Sequence, residues 1–182
     1  MSTERPVVLS LGSNLGDRLA NLQAGIDLLV AGPGVAATAV SAVFEASPVG
    51  GPEQPDYLNA VLLAASSLPA RQILHRCQAA ETALGRVRTV RWGPRTLDVD
   101  IIACGSEISS GPELTLPHPR AHERAFVLVP WQDADPAACL PGCGQVADLL
   151  ALLPADGVRR LDDQGLRLPA GRPANPTRGE AD

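Results

Sequence analysis

The segment Leu97–Ala103 alternates with a period of two: Leu97, Val99 and Ile101 fall on one face, Asp98 and Asp100 on the other. A β-strand with one buried side accommodates that order, so the chain must build a sheet whose opposite side carries two carboxylates. At a rise of ~3.3 Å per residue, the two acids leave the strand roughly 6.6 Å apart and parallel. Bare like charges at that range disfavour each other's ionisation. A pair of hard divalent cations would sit well between them. An edge strand with a solvated face explains the same alternation, because Asp is otherwise depleted in strands. Taken alone, the pair leaves both readings open.

The residues just upstream change the weighing. Arg86, Arg88, Arg91 and Arg95 follow one another with no acidic residue among them. Guanidinium groups bind phosphate oxygens bidentately and divalent cations bridge them, so arginines beside paired carboxylates suit a polyphosphate. Trp92-Gly93-Pro94 forms a turn that continues neither a helix nor a central strand, which puts the arginines on a loop able to close over a ligand. All fifteen basic residues are arginine. A P-loop, which needs Gly-Lys followed by Ser or Thr, is therefore excluded, and so is a Schiff-base lysine.

At 182 residues the chain is long enough for one domain with a proper core. A net charge of −5 argues against a nucleic-acid binder, which would show a basic face. There is no apolar run of membrane-spanning length and no signal-type N-terminus, so a soluble cytoplasmic protein, read as a monomer, is expected. Four cysteines make no disulfide framework in that compartment, and Cys139 and Cys143 have no second metal-binding pair nearby.

In chain order, Val7–Leu11 reads as a buried strand running into the turn Gly12-Ser13-Asn14-Leu15-Gly16-Asp17. Asp17 or Asn14 caps the helix that follows, whose stripe is Leu19, Leu22, Ile26, Leu29 and Val30 and whose stop is Gly32-Pro33-Gly34. The turn itself is either a phosphate cradle or simply a tight strand-to-helix connection. Thr38–Ala46 reads as a strand, 47–55 as a Pro/Gly loop longer than a hairpin needs, and Tyr57–Ser66 as the next strand. Asn59 on that apolar strand needs buried partners, supplied by neighbouring backbone or by a ligand. Ser67 and Pro69 open a second helix that stops at Gly85, with Gln78 and Glu81 off its apolar stripe as ordinary surface residues. Past the aspartate strand, Pro119 between His118 and His122 disfavours a helical zinc pair. Ala125–Trp131 begins an apolar helix or strand, and Val146–Leu153 a short helix. Residues 1–153 form the expected domain, and 154–182 read as a disordered or loosely packed Pro/Gly/Arg-rich tail.

The order strand–helix–strand–strand–helix–strand points to an α+β fold: a ferredoxin-like βαββαβ core with a mostly antiparallel sheet and additional C-terminal helices. RNA-binding modules share that fold, but their aromatic strand signature is missing here. A metal-dependent glycosyltransferase also uses Asp-x-Asp, yet no doubly wound nucleotide domain is evident.

Five segments carry a family resemblance: residues 11–15 (Leu-Gly-Ser-Asn-Leu), 54–60 (Gln-Pro-Asp-Tyr-Leu-Asn-Ala), 85–88 (Gly-Arg-Val-Arg), 91–101 (Arg-Trp-Gly-Pro-Arg-Thr-Leu-Asp-Val-Asp-Ile) and 116–120 (Leu-Pro-His-Pro-Arg). In that order they resemble the 6-hydroxymethyl-7,8-dihydropterin pyrophosphokinases of folate biosynthesis. The resemblance implies transfer of a pyrophosphoryl group from ATP to the pterin's hydroxymethyl oxygen, with release of AMP. It implies two Mg²⁺ ions on Asp98 and Asp100, with Arg86 and Arg95 stabilising the transferring group. Arg88, His118 and Arg124 are implied as phosphate contacts, and Gln78, Glu81, Ile101 and Thr115 as neighbours of the nucleotide. Tyr57 and Phe126 would sandwich the pterin, Asn59 with the backbone of Ser47 and Val49 would read its edge, and Trp92 would seal the site. ATP and the reduced pterin are thus the expected partners, with neither nucleic acid nor membrane. Glu113 departs from relatives that carry arginine near the nucleotide, and the Arg88–Arg91 connection is one residue shorter than in some relatives.

Overall fold

The computed structural model of the chain describes residues 4–50, 52–85, 93–154 and 157–169. In chain order the elements are β1 (Arg5–Ser13), α1 (Arg18–Val30), β2 (Val35–Val40), β3 (Val43–Ala46), β4 (Tyr57–Ser66), α2 (Ala70–Ala83) and β5 (Asp98–Cys104). A small hairpin of β6 (Ser109–Ser110) and β7 (Thr115–Leu116) leads through a short 3₁₀ turn to α3 (Ala125–Ala134). A second hairpin, β8 (Cys139–Leu140) and β9 (Gly144–Gln145), precedes α4 (Val146–Leu150) and a last strand, β10 (Val158–Leu161).

The main sheet has six strands in the order β10-β3-β4-β1-β5, with β2 also paired to β4, and every pairing is antiparallel. This is the strand order expected of a ferredoxin-like core. Alternation along β1 and β4 divides the interior into two layers. Leu9, Leu11, Leu58 and Leu62 face α1 and α2, packing against Leu22, Ile26, Ile73 and Cys77. Val8, Val61 and Ile102 face the other way, against Val127, Leu128 and Trp131 of α3 and Val146 of α4. The C-terminal helices therefore pack on the second face of the sheet, the face from which Asp98 and Asp100 project.

Local chemistry sets the boundaries. Asp17 caps α1 by accepting the Ala20 N–H at 3.1 Å, as its position suggested. Pro69 rather than Ser67 occupies the cap position of α2, without a side-chain cap. Gly85, at φ +76°, ends that helix in the left-handed region that favours glycine. The single strand expected over 38–46 is instead β2 and β3. Ser41 accepts the Val61 N–H through its hydroxyl at 2.9 Å, and the Ala42 N–H turns out to Asp133 at 2.8 Å. A serine side chain competing with the ladder breaks the strand there.

The largest departure lies beyond residue 154. Val158–Leu161 pairs antiparallel with β3, Leu161 is buried, and Leu166 packs on the core. Gln23 and Arg167 exchange two hydrogen bonds, of 2.8 and 3.0 Å. Residues 158–168 are thus attached rather than loose: one apolar side chain every few residues suffices when an open strand edge is waiting for them. Residues 155–156 and 170–182 of the expected tail lie outside the described residues. No helix among the described residues is long and apolar enough to cross a membrane.

Candidate active site

The site grows from β5. Leu97, Val99 and Ile101 are buried in the helical layer, so Asp98 and Asp100 project from the opposite face of the sheet. β5 is an edge strand, and the Val99 N–H between the two acids is taken up by the Glu81 carboxylate of α2 at 2.9 Å. Glu81 is only 5% exposed, so the solvated-surface expectation for it fails. The strand edge needed a buried acceptor, and α2 packs close enough to bring one.

Each aspartate has its own basic partner. Arg95 Nη1 lies 3.0 Å from Asp98 Oδ1, and Arg124 Nη1 lies 3.1 Å from Asp100 Oδ2. His118 Nε2 stands 3.7 Å from the same Asp100 oxygen. The His118 Nδ1 accepts the Arg120 N–H at 3.1 Å, which puts the proton of the neutral ring on Nε2, facing Asp100. Burial, and then repulsion from Asp98, push the Asp100 carboxyl above its usual range against the pull of His118 and Arg124. Burial lowers the His118 pKa although Asp100 opposes the shift. For Arg95, burial opposes the charge, but Asp98, Tyr57 and Asp100 outweigh it and hold the guanidinium above its ordinary value. The cluster is a desolvated mixed-charge site, the environment in which acids and bases acquire functional pKa values.

Strand register places a second feature beside it. Gly12 of β1 pairs with Asn59 on one side and Asp98 on the other. At ~4.8 Å per strand, the Asn59 and Asp98 backbones lie roughly 9.6 Å apart across the residue that has no side chain. A Cβ at Gly12 would stand 3.3 Å from Asn59 Oδ1 and 3.5 Å from the Tyr57 ring. The bare Gly12 thus lets Asn59 and Tyr57 come in close over β1, in the same lateral row as Asp98. Asn59 is buried, and among the described residues its Nδ2 donates over a long 3.4 Å to the Tyr57 carbonyl. Phe126 is half-buried at the start of α3, with the Arg124 guanidinium carbon 5.6 Å from its ring centre.

A cleft of about 240 Å³ opens on the far side of the acids, running from Asp100 and His118 past Val99, Ile101, Leu114 and Thr115. Glu113 lines it and pairs with Arg71 at 3.0 Å, both side chains well exposed. The site therefore has three neighbouring parts: the Asn59 and Tyr57 side chains over Gly12, a charged centre and a partly apolar cleft.

Residues 8–136 match the family described as 7,8-dihydro-6-hydroxymethylpterin-pyrophosphokinase (HPPK). The chain belongs to that family. It is 52% identical over 164 residues to the 2-amino-4-hydroxy-6-hydroxymethyldihydropteridine pyrophosphokinase of Mycobacterium tuberculosis, covering 82% of this chain and 85% of that one. It is 39% identical over 155 residues to the protein of the same name from Pseudomonas aeruginosa, covering 85% of this chain and 96% of the other. Among solved structures, Plasmodium falciparum HPPK-DHPS with pteroate superposes with a TM-score of 0.63 at 11% identity. The match covers 84% of this chain and 43% of that longer one, and at such identity it speaks for the fold alone.

Of the residues singled out from the sequence of this pyrophosphokinase-family chain, Arg95, Asp98, Asp100, His118 and Arg124 converge at the charged centre. Tyr57 and Asn59 stand over Gly12, and Ile101 and Thr115 line the cleft. Gln78 is exposed on α2, one turn before Glu81. Ser47 follows directly on β3, whose last residue pairs with Tyr57, and Val49 beyond it is 73% exposed. Arg86, Arg88, Arg91 and Trp92 lie outside the described residues. Two contributors went unrecognised in the sequence. Gly12 admits Asn59 and Tyr57 over β1, and Asn14, between strand and helix, bonds to the backbone of Arg95.

Proposed function

We propose that this protein transfers the pyrophosphoryl group of ATP to the hydroxymethyl oxygen of 6-hydroxymethyl-7,8-dihydropterin, giving the pterin diphosphate and AMP in folate biosynthesis. The observation that carries this reading is the lateral row Asn59–Gly12–Asp98, which sets a buried amide one glycine away from paired carboxylates with arginine partners. A flat ligand with a polar edge suits a slot between Tyr57 and Phe126 with Asn59 at its edge. Ser47 and Val49 would complete that edge through their backbone, and Trp92 would close over it. The adenosine end suits the cleft past Ile101 and Thr115, with Gln78 at its border.

In the reaction the hydroxymethyl oxygen attacks the β-phosphorus, the bond from that phosphorus to the α,β-bridging oxygen breaks, and AMP leaves. Such transfers are mostly positioning and charge neutralisation. Arg95 donates to the group in transit, while Arg124 and His118 hold phosphate oxygens, with Arg86 and Arg88 as further guanidinium donors. Asp98 and Asp100 would hold two Mg²⁺ ions. The donor set fits, because two carboxylates on one face of β5 offer the hard oxygen donors these ions take. Two carboxylates leave room for the water and phosphate oxygens that Mg²⁺ prefers. When bound, Mg²⁺ offsets phosphate charge and makes the alcohol more acidic. Glu81 serves this centre by holding Val99, and with it the spacing of the two acids.

The test is to incubate the protein with ATP, Mg²⁺ and the reduced pterin alcohol and identify the nucleotide that accumulates. AMP in step with pterin diphosphate is expected; ADP would indicate an ordinary kinase and overturn the reading.

A further inference from the structure

We infer that Asn14 is a positioning residue that couples the pterin-side loop to Arg95, so that the slot and the transfer centre are held in one register. The inference rests on the functional reading above and adds to it a residue that contacts neither substrate.

Asn14 is 2% exposed and joins three segments distant in sequence. Its Oδ1 accepts the Arg95 N–H at 2.9 Å, and its own N–H donates to the Arg95 carbonyl at 3.2 Å. Its Nδ2 donates to Gln54 Oε1 at 2.9 Å and to the Pro55 carbonyl at 3.0 Å. Both amide hydrogens and the amide oxygen are thus engaged. Of the twenty side chains, only a primary amide of this length offers one acceptor and two donors in that fork. The Gln54 Oε1 also lies 3.4 Å from the Tyr57 hydroxyl. A continuous path therefore runs from the Arg95 backbone through Asn14 and Gln54 to the Tyr57 ring beside Gly12.

The two ends of this path lack regular structure of their own. Residues 93–97 precede β5 and belong to no strand or helix, and the same holds for residues 52–56 before β4. Neither lies in a strand ladder, so their backbones lean on Asn14 at both ends, joined at 52–56 by the Arg18 guanidinium, which donates to the Asp56 carbonyl at 2.8 Å. The buried amide supplies what the sheet cannot: a fixed distance between the wall of the slot and the arginine beside the acids. Reaction rates of this kind are sensitive to misplacement on the ångström scale.

Asn14→Asp keeps the acceptor for Arg95 but has no donors for Gln54 and Pro55. Asn14→Ala loses both side-chain connections and keeps only the main-chain bond to the Arg95 carbonyl. For Asn14→Asp, the pterin KM should rise about tenfold, with kcat changed less than about threefold. For Asn14→Ala, kcat should fall about tenfold or more as well. Gln54→Ala, on a half-exposed residue, should reproduce the KM effect of Asn14→Asp, and the double variant should be no worse than either single one.

Hydrogen–deuterium exchange is read in parallel and needs no turnover. Asn14→Asp should quicken exchange at residues 52–56 but not at 93–97, and Asn14→Ala should quicken both. Unchanged exchange at 52–56 and 93–97 would overturn the inference whether or not the protein makes AMP. So would a loss of thermal stability with the pterin KM and the local exchange pattern unaltered, since that marks a purely structural amide. Should Asn14 variants fail to fold, Gln54→Ala decides alone: normal pterin KM and normal exchange at 52–56 would refute the coupling. An absence of AMP from the unmodified protein would instead remove the functional reading and leave the exchange result to judge Asn14.

Discussion

The two outer strands of the sheet, β5 and β10, look alike as sequence and do opposite things. Both are short, both pair on one side, and both carry two charged residues flanked by aliphatic ones: Asp98 and Asp100 in one, Arg159 and Arg160 in the other. The acids of β5 share one face, are half-buried, and meet Arg95, Arg124 and His118 in a desolvated pocket. The arginines of β10 are consecutive and exposed, pairing with Glu45 and Asp133 on the surface. Charge at a strand edge becomes chemistry when the next layer keeps water away, and is otherwise attachment and solubility.

Several substitutions sharpen that contrast, and the first should have the largest effect. Asp98→Ala or Asp100→Ala should cost at least about 10³-fold in turnover while the protein stays folded, measured by AMP release and thermal melting. Activity within tenfold of the unmodified protein would take the metal role away from that residue. Next, Glu81→Ala leaves the buried Val99 N–H without its acceptor and should cost about 1–3 kcal/mol, with a loss of kcat. Glu81→Gln retains an acceptor oxygen and should recover most of both.

At the opposite edge, ending the chain at Pro154 removes the β10 pairing and exposes the pocket of Leu161. About 2–3 kcal/mol of stability should be lost. Turnover per folded molecule should stay near normal, because three strands separate β10 from β5. The smallest effect belongs to Arg159→Ala, worth about 0.5 kcal/mol or less for an exposed pair. Its pH signature is still directional. The Arg159 hydrogen bond, opposed by burial and aided by Arg18, holds the Glu45 carboxyl below its usual value. A depressed carboxylate stabilises the fold above its unfolded-state pKa, and that stabilisation fades as pH falls through the folded value. Acid unfolding of Arg159→Ala should therefore be shallower at Glu45 than in the unmodified protein.

Much of this was readable before any coordinates. Period-two and helical patterning located β1, α1, β4, α2 and β5 in order. Other features were not, for reasons that can be named. The break at Ser41 depends on a hydroxyl reaching across to Val61, which no local pattern announces. Glu81 looked like surface because helical periodicity marks the apolar stripe and says nothing of an unpaired strand edge beside it. Asn14 sat in a turn whose motif is common, and its partners are 40 to 81 residues away.

By itself, then, the amino-acid order determined the elements, the face of β5 that bears the acids, and the family whose motifs the chain carries. Those are properties of neighbours along the chain, where side-chain period and turn chemistry act directly. Tertiary structure alone decided which charges lose their water, that Gly12 admits Asn59 and Tyr57 in the row that leads to Asp98, and that residues 158–161 find an edge to complete. Desolvation and strand pairing depend on what lies across the fold, and that is absent from any stretch of sequence read singly.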